Sequence, residues 1–363
     1  MSDSQTHVNI FKERIFPVLF MLAITIVFIA LVSGIHLATR ESVLRNEELY
    51  LKQAVLYAAD IPVPAGAEDV ENLYFEKIRE FLDEEGNAQY FEVMDSAEKT
   101  IGYVMPAEGP GLWGEIQAVV GFSKDLSTLT GVDFIKQNET PGLGARISES
   151  WFREQFRGKT GPFVFVPEGT KTPLNREFDA ITGATITSTA VRNILNGIVK
   201  RNEELYLKQA VLYAADFTVP FEPAEIETLY YEIIIEVDDA DGNTKYYEVM
   251  NSSKKIIGYV VPAEGPGHNG EIQAVVGFSK DLSIFTGVDF IKQNESPALG
   301  ARISESWFRE QFRGKTGPFK LVPEGTKTPD SREFDAITNA TITSTAVGNI
   351  LNELKETVPQ IIK

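Results

Sequence analysis

The stretch RNEELYLKQAVLYAAD occupies residues 45–60 and occurs again, letter for letter, at residues 201–216. The same offset of 156 residues relates the two halves of the chain throughout, and no gap is needed to align them. A period of this length is that of a domain, since the repeats of solenoid proteins are much shorter. The sequence of 363 residues therefore predicts one domain that is present twice, at about 45–200 and 201–363.

Each copy has the pattern of an α+β domain. Its first segment, residues 41–59, has the apolar positions of an amphipathic helix, and a last helix is expected from about Thr187. Between them, runs of β-branched and aromatic residues predict strands at 88–94, 99–105, 115–122, 129–137 and 162–166, with a short helix at 148–156. Because the strands follow one another instead of alternating with helices, we expect a mostly antiparallel sheet with helices packed on it.

A membrane span precedes the two copies. Residues 16–39 contain no Asp, Glu, Lys or Arg, and as a helix they would be about 36 Å long, enough to cross a hydrocarbon core of about 30 Å. A cleaved signal peptide is the alternative, but the run is long for one and no clear cleavage site follows it. We therefore expect a short segment at 1–15 and an uncleaved single span. Basic residues flank both ends equally, so charge does not predict the orientation.

Composition excludes several classes of protein. The net charge is −18, which argues against a nucleic-acid binder because such a protein needs a basic face. The absence of cysteine excludes disulfides, thiolate-ligated iron–sulfur clusters and covalently attached c-type haem. The three histidines lie far apart in sequence, so no metal site is predicted.

A glycine-rich segment at residues 109–114 fits the dinucleotide-binding pattern G-x-G-x-x-G literally. That pattern needs a preceding strand and a helix that begins on it, whereas here a proline lies within the segment and a strand follows. A glycine-rich loop between two strands is the better interpretation. Such a loop bends sharply or lets backbone approach a ligand.

The segment DAITGATITST, residues 179–189, is rich in hydroxyl and small side chains at an expected strand-to-helix turn. The free N–H groups and the dipole of a helix N-terminus favour an anion such as phosphate. Gly183 and Ala184 would leave room for it, and Thr187 or Ser188 could add donors. The same residues also fit a helix N-cap that binds no ligand.

The segment DAITGATITS resembles the flavinylation motif, Asp-x-x-Ser/Thr-Gly-Ala-Thr, of the FMN-binding domain family. Two further stretches resemble the same family, namely GLWG at 111–114 and ETPGLG at 139–144. The family includes the G subunit of the Rnf electron-transport complex and the C subunit of the sodium-pumping NADH:quinone oxidoreductase (Nqr). The three motifs occur in the family's order, and the resemblance extends to the second copy by repetition.

The resemblance implies a covalent FMN, attached through its phosphate to the Thr185 hydroxyl by an FAD:protein FMN transferase. Asp179 would serve that transfer, while Gly183 and Ala184 would let the phosphate and the enzyme approach. The remaining residues of the three motifs would border the cofactor; they are Leu112, Trp113, Glu139, Thr140, Gly142, Leu143, Thr182, Thr187 and Ser188.

The second copy changes residues within these motifs. Asn339 replaces the glycine of the attachment motif, although the acceptor threonine remains as Thr341. The other replacements are His268 and Asn269 for Leu112 and Trp113, Ser296 for Thr140, and Ala298 for Gly142. One interpretation is that copy 2 has lost or weakened FMN attachment and remains as a structural or docking domain. The other is a second FMN on Thr341 with a different environment.

The resemblance predicts a membrane-anchored electron carrier without a catalytic residue of its own. It would be the G subunit of an Rnf-type complex, which passes electrons between ferredoxin and NAD and couples this to ion pumping by neighbouring membrane subunits. The expected location is the cytoplasmic membrane, with the soluble domains outside the cytoplasm. The C subunit of an Nqr-type complex, a free-standing extracytoplasmic flavoprotein and a non-redox interaction module are the alternatives.

Overall fold

The structure is a computed structural model that describes residues 15–83, 85–124, 126–170, 175–220, 223–296, 298–326 and 332–363. The chain divides into two compact units, Met1–Asn196 and Gly197–Lys363. The predicted segment 1–15 lies almost entirely outside the described residues.

The first helix, α1, spans Phe16–Ala58 and has 43 residues, which makes it about 65 Å long. The predicted span and the predicted first helix of copy 1 are therefore one continuous helix. The apolar side chains of its N-terminal part are exposed, and α1 is the one helix among the described residues that is long and apolar enough to cross a membrane. Near its C-terminal end, Ala54, Val55 and Leu56 are fully buried against the first domain.

The rest of unit 1 is an α+β domain. Its elements are α2 (Ala67–Lys77), β1 (Ile78–Leu82), β2 (Ala88–Met94), β3 (Thr100–Pro110), β4 (Glu115–Ser123), β5 (Leu129–Lys136), α3 (Ser150–Arg153), β6 (Val164–Val166), β7 (Glu177–Asp179) and α4 (Thr185–Ala214). Strands β1 to β5 form an antiparallel sheet in sequential order, which confirms the predicted mostly antiparallel architecture. Strands β6 and β7 form a separate parallel pair. The α4 helix contains the boundary between the two units.

The end of α1 lies directly against the sheet. A Cβ atom added to Gly121 on β4 would be 2.0 Å from the carbonyl oxygen of Ala58, so only glycine allows this approach. The Thr130 hydroxyl on β5 donates to the same oxygen over 2.7 Å. Beside it, the Arg157 guanidinium pairs with Asp60 at 2.7 Å, and these contacts hold the end of α1 on the domain.

An aromatic cluster fixes the position of β7. Phe178 on this strand is fully buried, and its ring lies 5.0 Å from that of Phe156 and 5.9 Å from that of Phe152, measured between centroids. Burying rings of this size contributes strongly to stability. Because β7 leads into the turn before α4, the cluster also positions that turn.

Unit 2 repeats the same arrangement. After the shared α4, its elements are α5 (Pro223–Ile233), β8 (Ile234–Asp238), β9 (Thr244–Met250), β10 (Ile256–Pro266), β11 (Glu271–Ser279), β12 (Phe285–Lys292), α6 (Ser306–Arg309), β13 (Lys320–Val322), β14 (Glu333–Asp335) and α7 (Thr341–Ile361). Strands β8 to β12 again form an antiparallel sheet in sequential order, and β13 pairs with β14 in parallel.

Several predicted boundaries were wrong. Strand β3 continues to Pro110, so the glycine-rich loop begins only at Gly111, because the backbone of residues 109 and 110 still pairs with β4. The last helix of copy 1 begins at Thr185 instead of about 187. Helix α2 and the short strands β1 and β7 had no clear signal in the sequence.

Candidate functional site

The turn between β7 and α4 holds the predicted attachment segment. The N–H of Ala180 donates to Val166 over 2.8 Å, which continues the strand pairing, and the N–H of Ala184 donates to the carbonyl of Ile181 over 3.0 Å. Gly183 has φ = +78°, a left-handed conformation that glycine adopts without a steric penalty. The turn therefore needs a glycine, or a residue such as asparagine that tolerates this region.

Thr185 is the first residue of α4, a helix of 30 residues, and its side chain is exposed. Thr182 and Gly183 are also exposed, whereas Ala184 is buried. The first N–H groups of a helix have no partner within the helix, and together with the helix dipole they favour an anion. The arrangement can thus present a threonine hydroxyl beside a position suited to a phosphate.

The hydroxyls of Thr187 and Ser188 lie beneath this turn instead of on its surface. Both residues are almost fully buried. The Ser188 hydroxyl accepts from the N–H of Ile181 and donates to the carbonyl of Ala184, which closes the turn. The Thr187 hydroxyl donates to the carboxylate of Glu139. Both hydroxyls are therefore engaged in holding the turn.

Glu139 joins two of the sequence motifs to the start of α4. Its side chain is buried, and one carboxylate oxygen accepts from the backbone N–H of Leu112 over 2.8 Å and of Trp113 over 3.2 Å. Its other oxygen accepts from Thr187. The three motifs, which are far apart in sequence, are thereby brought together in one place.

The surface beside the turn is apolar. Leu112, Trp113 and Leu143 are 45%, 69% and 42% exposed, so three large apolar side chains are available there for contact with a ligand. The indole N–H of Trp113 donates to the Thr140 hydroxyl over 2.9 Å and links the two loops. A Cβ atom added to Gly183 would be 3.2 Å from Leu143, so this loop also lies beside the attachment turn.

Two carboxylates hold the turn from the other side. Asp179 is buried and accepts from the backbone N–H of Gly169 over 2.7 Å. Glu168 accepts from the N–H of Thr182 over 2.6 Å and pairs with Arg146 at 2.7 Å. The hydrogen bond from Arg146, followed by that from Thr182, lowers the pKa of Glu168 to about 2. Sequence reasoning missed Glu168 and Arg146, since both lie outside the recognised motifs.

Unit 2 preserves this backbone despite its replacements. Asn339 has φ = +64°, close to the value at Gly183, and the exposed Thr341 begins α7 as Thr185 begins α4. Ala298 has φ = +59° where Gly142 has φ = +72°. Unit 2 therefore retains the shape of the turn and loop while it loses the apolar pair at 112 and 113.

Within the described residues, no group of His, Cys, Asp or Glu side chains could hold a metal ion. The site in each unit instead consists of an exposed threonine at a helix start, beside a glycine-containing loop. The chain is thus a duplicated α+β domain that follows a helix long and apolar enough to cross a membrane.

Comparison with known proteins identifies this module. The FMN-binding domain matches residues 111–200 and again residues 267–356. The G subunit of the ion-translocating oxidoreductase complex of Methanosarcina acetivorans is 35% identical over 153 residues, which cover 41% of this chain and 71% of the relative. The G subunit of the Na(+)-translocating ferredoxin:NAD(+) oxidoreductase complex of Acetobacterium woodii is 34% identical over 196 residues, covering 51% of this chain and 93% of the relative. The chain belongs to the FMN-binding domain family, and it carries the domain twice.

A solved structure is also similar. The C subunit of the Na(+)-translocating NADH-quinone reductase from Parabacteroides distasonis is 28% identical, with a TM-score of 0.37, and the match covers 45% of this chain and 96% of that one.

The residues around Thr185 fit an FMN. The exposed hydroxyl at the helix start suits a phosphate, and the exposed Leu112, Trp113 and Leu143 suit the face of an aromatic ring system. Gly183, where a side chain would crowd Leu143, leaves space between these two parts.

Proposed function

We propose that this chain is a membrane-anchored electron carrier with FMN bound through its phosphate to the Thr185 hydroxyl. The complex that it serves would be an ion-translocating ferredoxin:NAD oxidoreductase of the Rnf type, in which it would be the G subunit. The observation that carries the proposal is the exposed Thr185 at the start of α4, in a matched FMN-binding domain that follows a membrane-length helix. Relatives named as G subunits support the choice of complex.

Different residues of the site would bind the phosphate and the ring system of FMN. Thr185 would carry the phosphoester, and the first N–H groups of α4 would offset the phosphate charge. Leu112, Trp113 and Leu143 would contact the isoalloxazine. When bound, FMN supplies the electron-transfer chemistry, while the protein sets its position and environment. Asp179 would act only indirectly, by holding the loop at Gly169 so that an FAD:protein FMN transferase can reach Thr185.

The anchor would keep the flavin near its partners. No residue in the span 16–39 is charged, so α1 alone offers no path for an ion. Ion translocation would therefore be the task of other membrane subunits of the complex. We place the soluble domains outside the cytoplasm, where a covalent tether prevents loss of the cofactor.

Unit 2 would bind FMN more weakly or not at all. Its backbone keeps the shape of the turn, but His268 and Asn269 stand where unit 1 has two exposed apolar side chains. Losing these contacts removes apolar area that would be buried on the flavin. Unit 2 would then act mainly as a structural or docking domain, and a second FMN on Thr341 is the alternative that the experiment below distinguishes.

The test uses the full chain, inserted in a membrane and expressed together with an FMN transferase. The measured quantity is the intact mass of the chain. We expect one covalent FMN, which stays as a fluorescent band in a denaturing gel. Thr185→Val should abolish the band with little effect on folding, since the side chain is exposed and valine keeps its shape. Thr341→Val is the matched control and should leave the band intact. An undiminished band in Thr185→Val would refute the attachment site, and two FMN adducts would refute the single-flavin proposal.

The same sample tests the assignment to a complex. Purification from native membranes should bring down other subunits, and those of an Rnf-type complex would support the proposal. Recovery with components of an Nqr-type complex would favour the Nqr role instead. A flavinylated chain that purifies alone would favour a free-standing carrier, and a chain without any flavin would favour an interaction module.

A further inference from the structure

The carboxylate of Glu139 is buried, and direct contact with the flavin does not explain its position. It is 4% exposed, and its three donors are the N–H groups of Leu112 and Trp113 and the hydroxyl of Thr187. No lysine or arginine among the described residues lies within ion-pair distance of it. Both carboxylate oxygens are instead occupied by these hydrogen bonds, one of which comes from Thr187 in the first turn of α4.

Two glycines make room for this carboxylate. A Cβ atom added to Gly111 would be 2.5 Å from a carboxylate oxygen of Glu139. A Cβ atom at Gly144 would be 2.5 Å from the Thr187 hydroxyl and 2.9 Å from Glu139. Real Cβ atoms do not approach so closely, so both loops are built around the buried carboxylate.

The same arrangement is present in unit 2, although the side chains around it differ. Glu295 is 5% exposed and accepts from the N–H groups of His268 over 2.7 Å and Asn269 over 3.0 Å, and from the hydroxyl of Thr343. Because the bonds to the glycine loop come from backbone N–H groups, the side chains at these two positions can change without loss of the bonds. The carboxylate thus positions the loop, whatever side chains the loop carries.

We propose that Glu139 is a positioning residue for the flavin site and does not contact the flavin itself. By binding the loop at Leu112 and Trp113 and the first turn of α4 with one carboxylate, it fixes the distance between the apolar side chains and Thr185. The inference rests on the function proposed above. Without the carboxylate, the loop would lose two of its hydrogen bonds and its link to the first turn of α4, and the indole N–H of Trp113 would be left to hold it to Thr140.

The test compares Glu139→Met with Glu139→Gln in a Thr341→Val background, where any covalent FMN counted is on unit 1. Methionine keeps the length of the side chain but accepts no strong hydrogen bond. Glutamine can still accept from both N–H groups with its oxygen and donate to Thr187 with its amide. Glu295→Met is the matched control, since it removes the same bonds from the other unit.

Two measurements are made on each variant. The first is hydrogen–deuterium exchange of the peptide that contains Leu112 and Trp113, in the chain without flavin. The second, in the presence of the transferase, is the rate at which FMN becomes covalently attached and the fluorescence of the attached FMN. We expect Glu139→Met to speed exchange of these amides and to slow FMN transfer by on the order of tenfold, because leaving the N–H groups of Leu112 and Trp113 without their acceptor costs about that factor or more. The FMN that is attached should fluoresce more strongly, since Trp113 no longer quenches it. Glu139→Gln should restore exchange and transfer to within about threefold, and Glu295→Met should change neither in unit 1.

The proposal is wrong if Glu139→Met leaves exchange, transfer and flavin fluorescence as in the parent. It is also wrong if Glu295→Met impairs unit 1 to the same degree, since the effect would then be general destabilisation. If the parent chain takes up no FMN, the proposed function fails, whereas the exchange measurement still decides whether Glu139 holds the loop. If the methionine variant does not fold, the glutamine variant decides: a tenfold loss there would contradict the hydrogen-bond argument.

Discussion

Exchanging the residues at positions 142 and 298 should shift the stabilities of the two units in opposite directions. Gly142 and Ala298 occupy the same position of the repeated loop, with φ = +72° and +59°. The loop has the same backbone bonds in both units, since residues 143 and 145 donate to Thr140 at 3.1 Å each and their counterparts donate to Ser296 at 3.2 and 3.1 Å. The backbone bonds around the two positions are therefore alike, while the left-handed residue is glycine in one unit and alanine in the other.

The magnitude follows from this geometry. A left-handed conformation costs an alanine about 1–2 kcal/mol relative to glycine. Alanine recovers about 0.4–1 kcal/mol of this because it restricts the unfolded chain. A Cβ atom at Gly142 would have no atom within 4 Å, so no clash adds to the balance. We expect Ala298→Gly to stabilise unit 2, and Gly142→Ala to destabilise unit 1, each by about 0.5–1 kcal/mol.

The assay is urea unfolding of the full chain in detergent, with tryptophan fluorescence as the probe. The chain has three tryptophans, so replacing Trp113 and Trp151 by phenylalanine leaves Trp307 to report on unit 2. In the same way, replacing Trp113 and Trp307 leaves Trp151 for unit 1. The free energy of unfolding of a small domain falls by about 1–3 kcal/mol per M urea, so the unfolding midpoints should shift by on the order of 0.4 M urea. Shifts in the same direction in both units, or a loss of stability in Ala298→Gly, would refute the backbone argument.

Two further predictions concern the supports of the site. Gly121→Ala should lower the stability of unit 1 by about 1–3 kcal/mol, since its Cβ would lie 2.0 Å from the Ala58 oxygen, and thermal unfolding of the full chain in detergent measures the loss. Stability at or above that of the parent would contradict the close approach. The pKa of Glu168 is lowered to about 2 by Arg146 and Thr182, so its stabilising effect should be complete above pH 4.5 and fade as the pH falls towards 2. Glu168→Gln should make the free energy of unfolding less dependent on pH across that range. An unchanged pH dependence would show that this carboxyl is not responsible.

Much of the fold followed from local patterns. The repeated stretch at 45–60 and 201–216 and the uncharged run at 16–39 need only neighbouring residues to be recognised, and both the duplication and the long apolar helix are present. Four of the five predicted strands of copy 1 belong to its main sheet. Strand β7 has only three residues, too few for a periodic signal. Helix α2 has 11 residues, of which only Val70 and Tyr74 are buried, so its buried face is short.

The sequence also did not predict that the span and the first helix of copy 1 form one continuous helix. Charged residues from Arg40 onward end the membrane-like composition, which suggested two separate elements. Helical hydrogen bonding does not depend on that change, and α1 continues through it to Ala58. Composition marks the environment of a segment, whereas the backbone geometry sets where a helix ends.

By itself, the sequence determined that an apolar helix is followed by two like domains, each with a threonine in the predicted attachment motif, because each of these features consists of contiguous residues. The tertiary structure alone decided which motif residues face outward and which support them. Glu139 is 27 residues from Leu112 and 48 from Thr187, and no local pattern indicates that its carboxylate is buried between them. Thr185 is exposed while Thr187 and Ser188 are buried, because the first turn of α4 presents one side to solvent and packs the other on the loops.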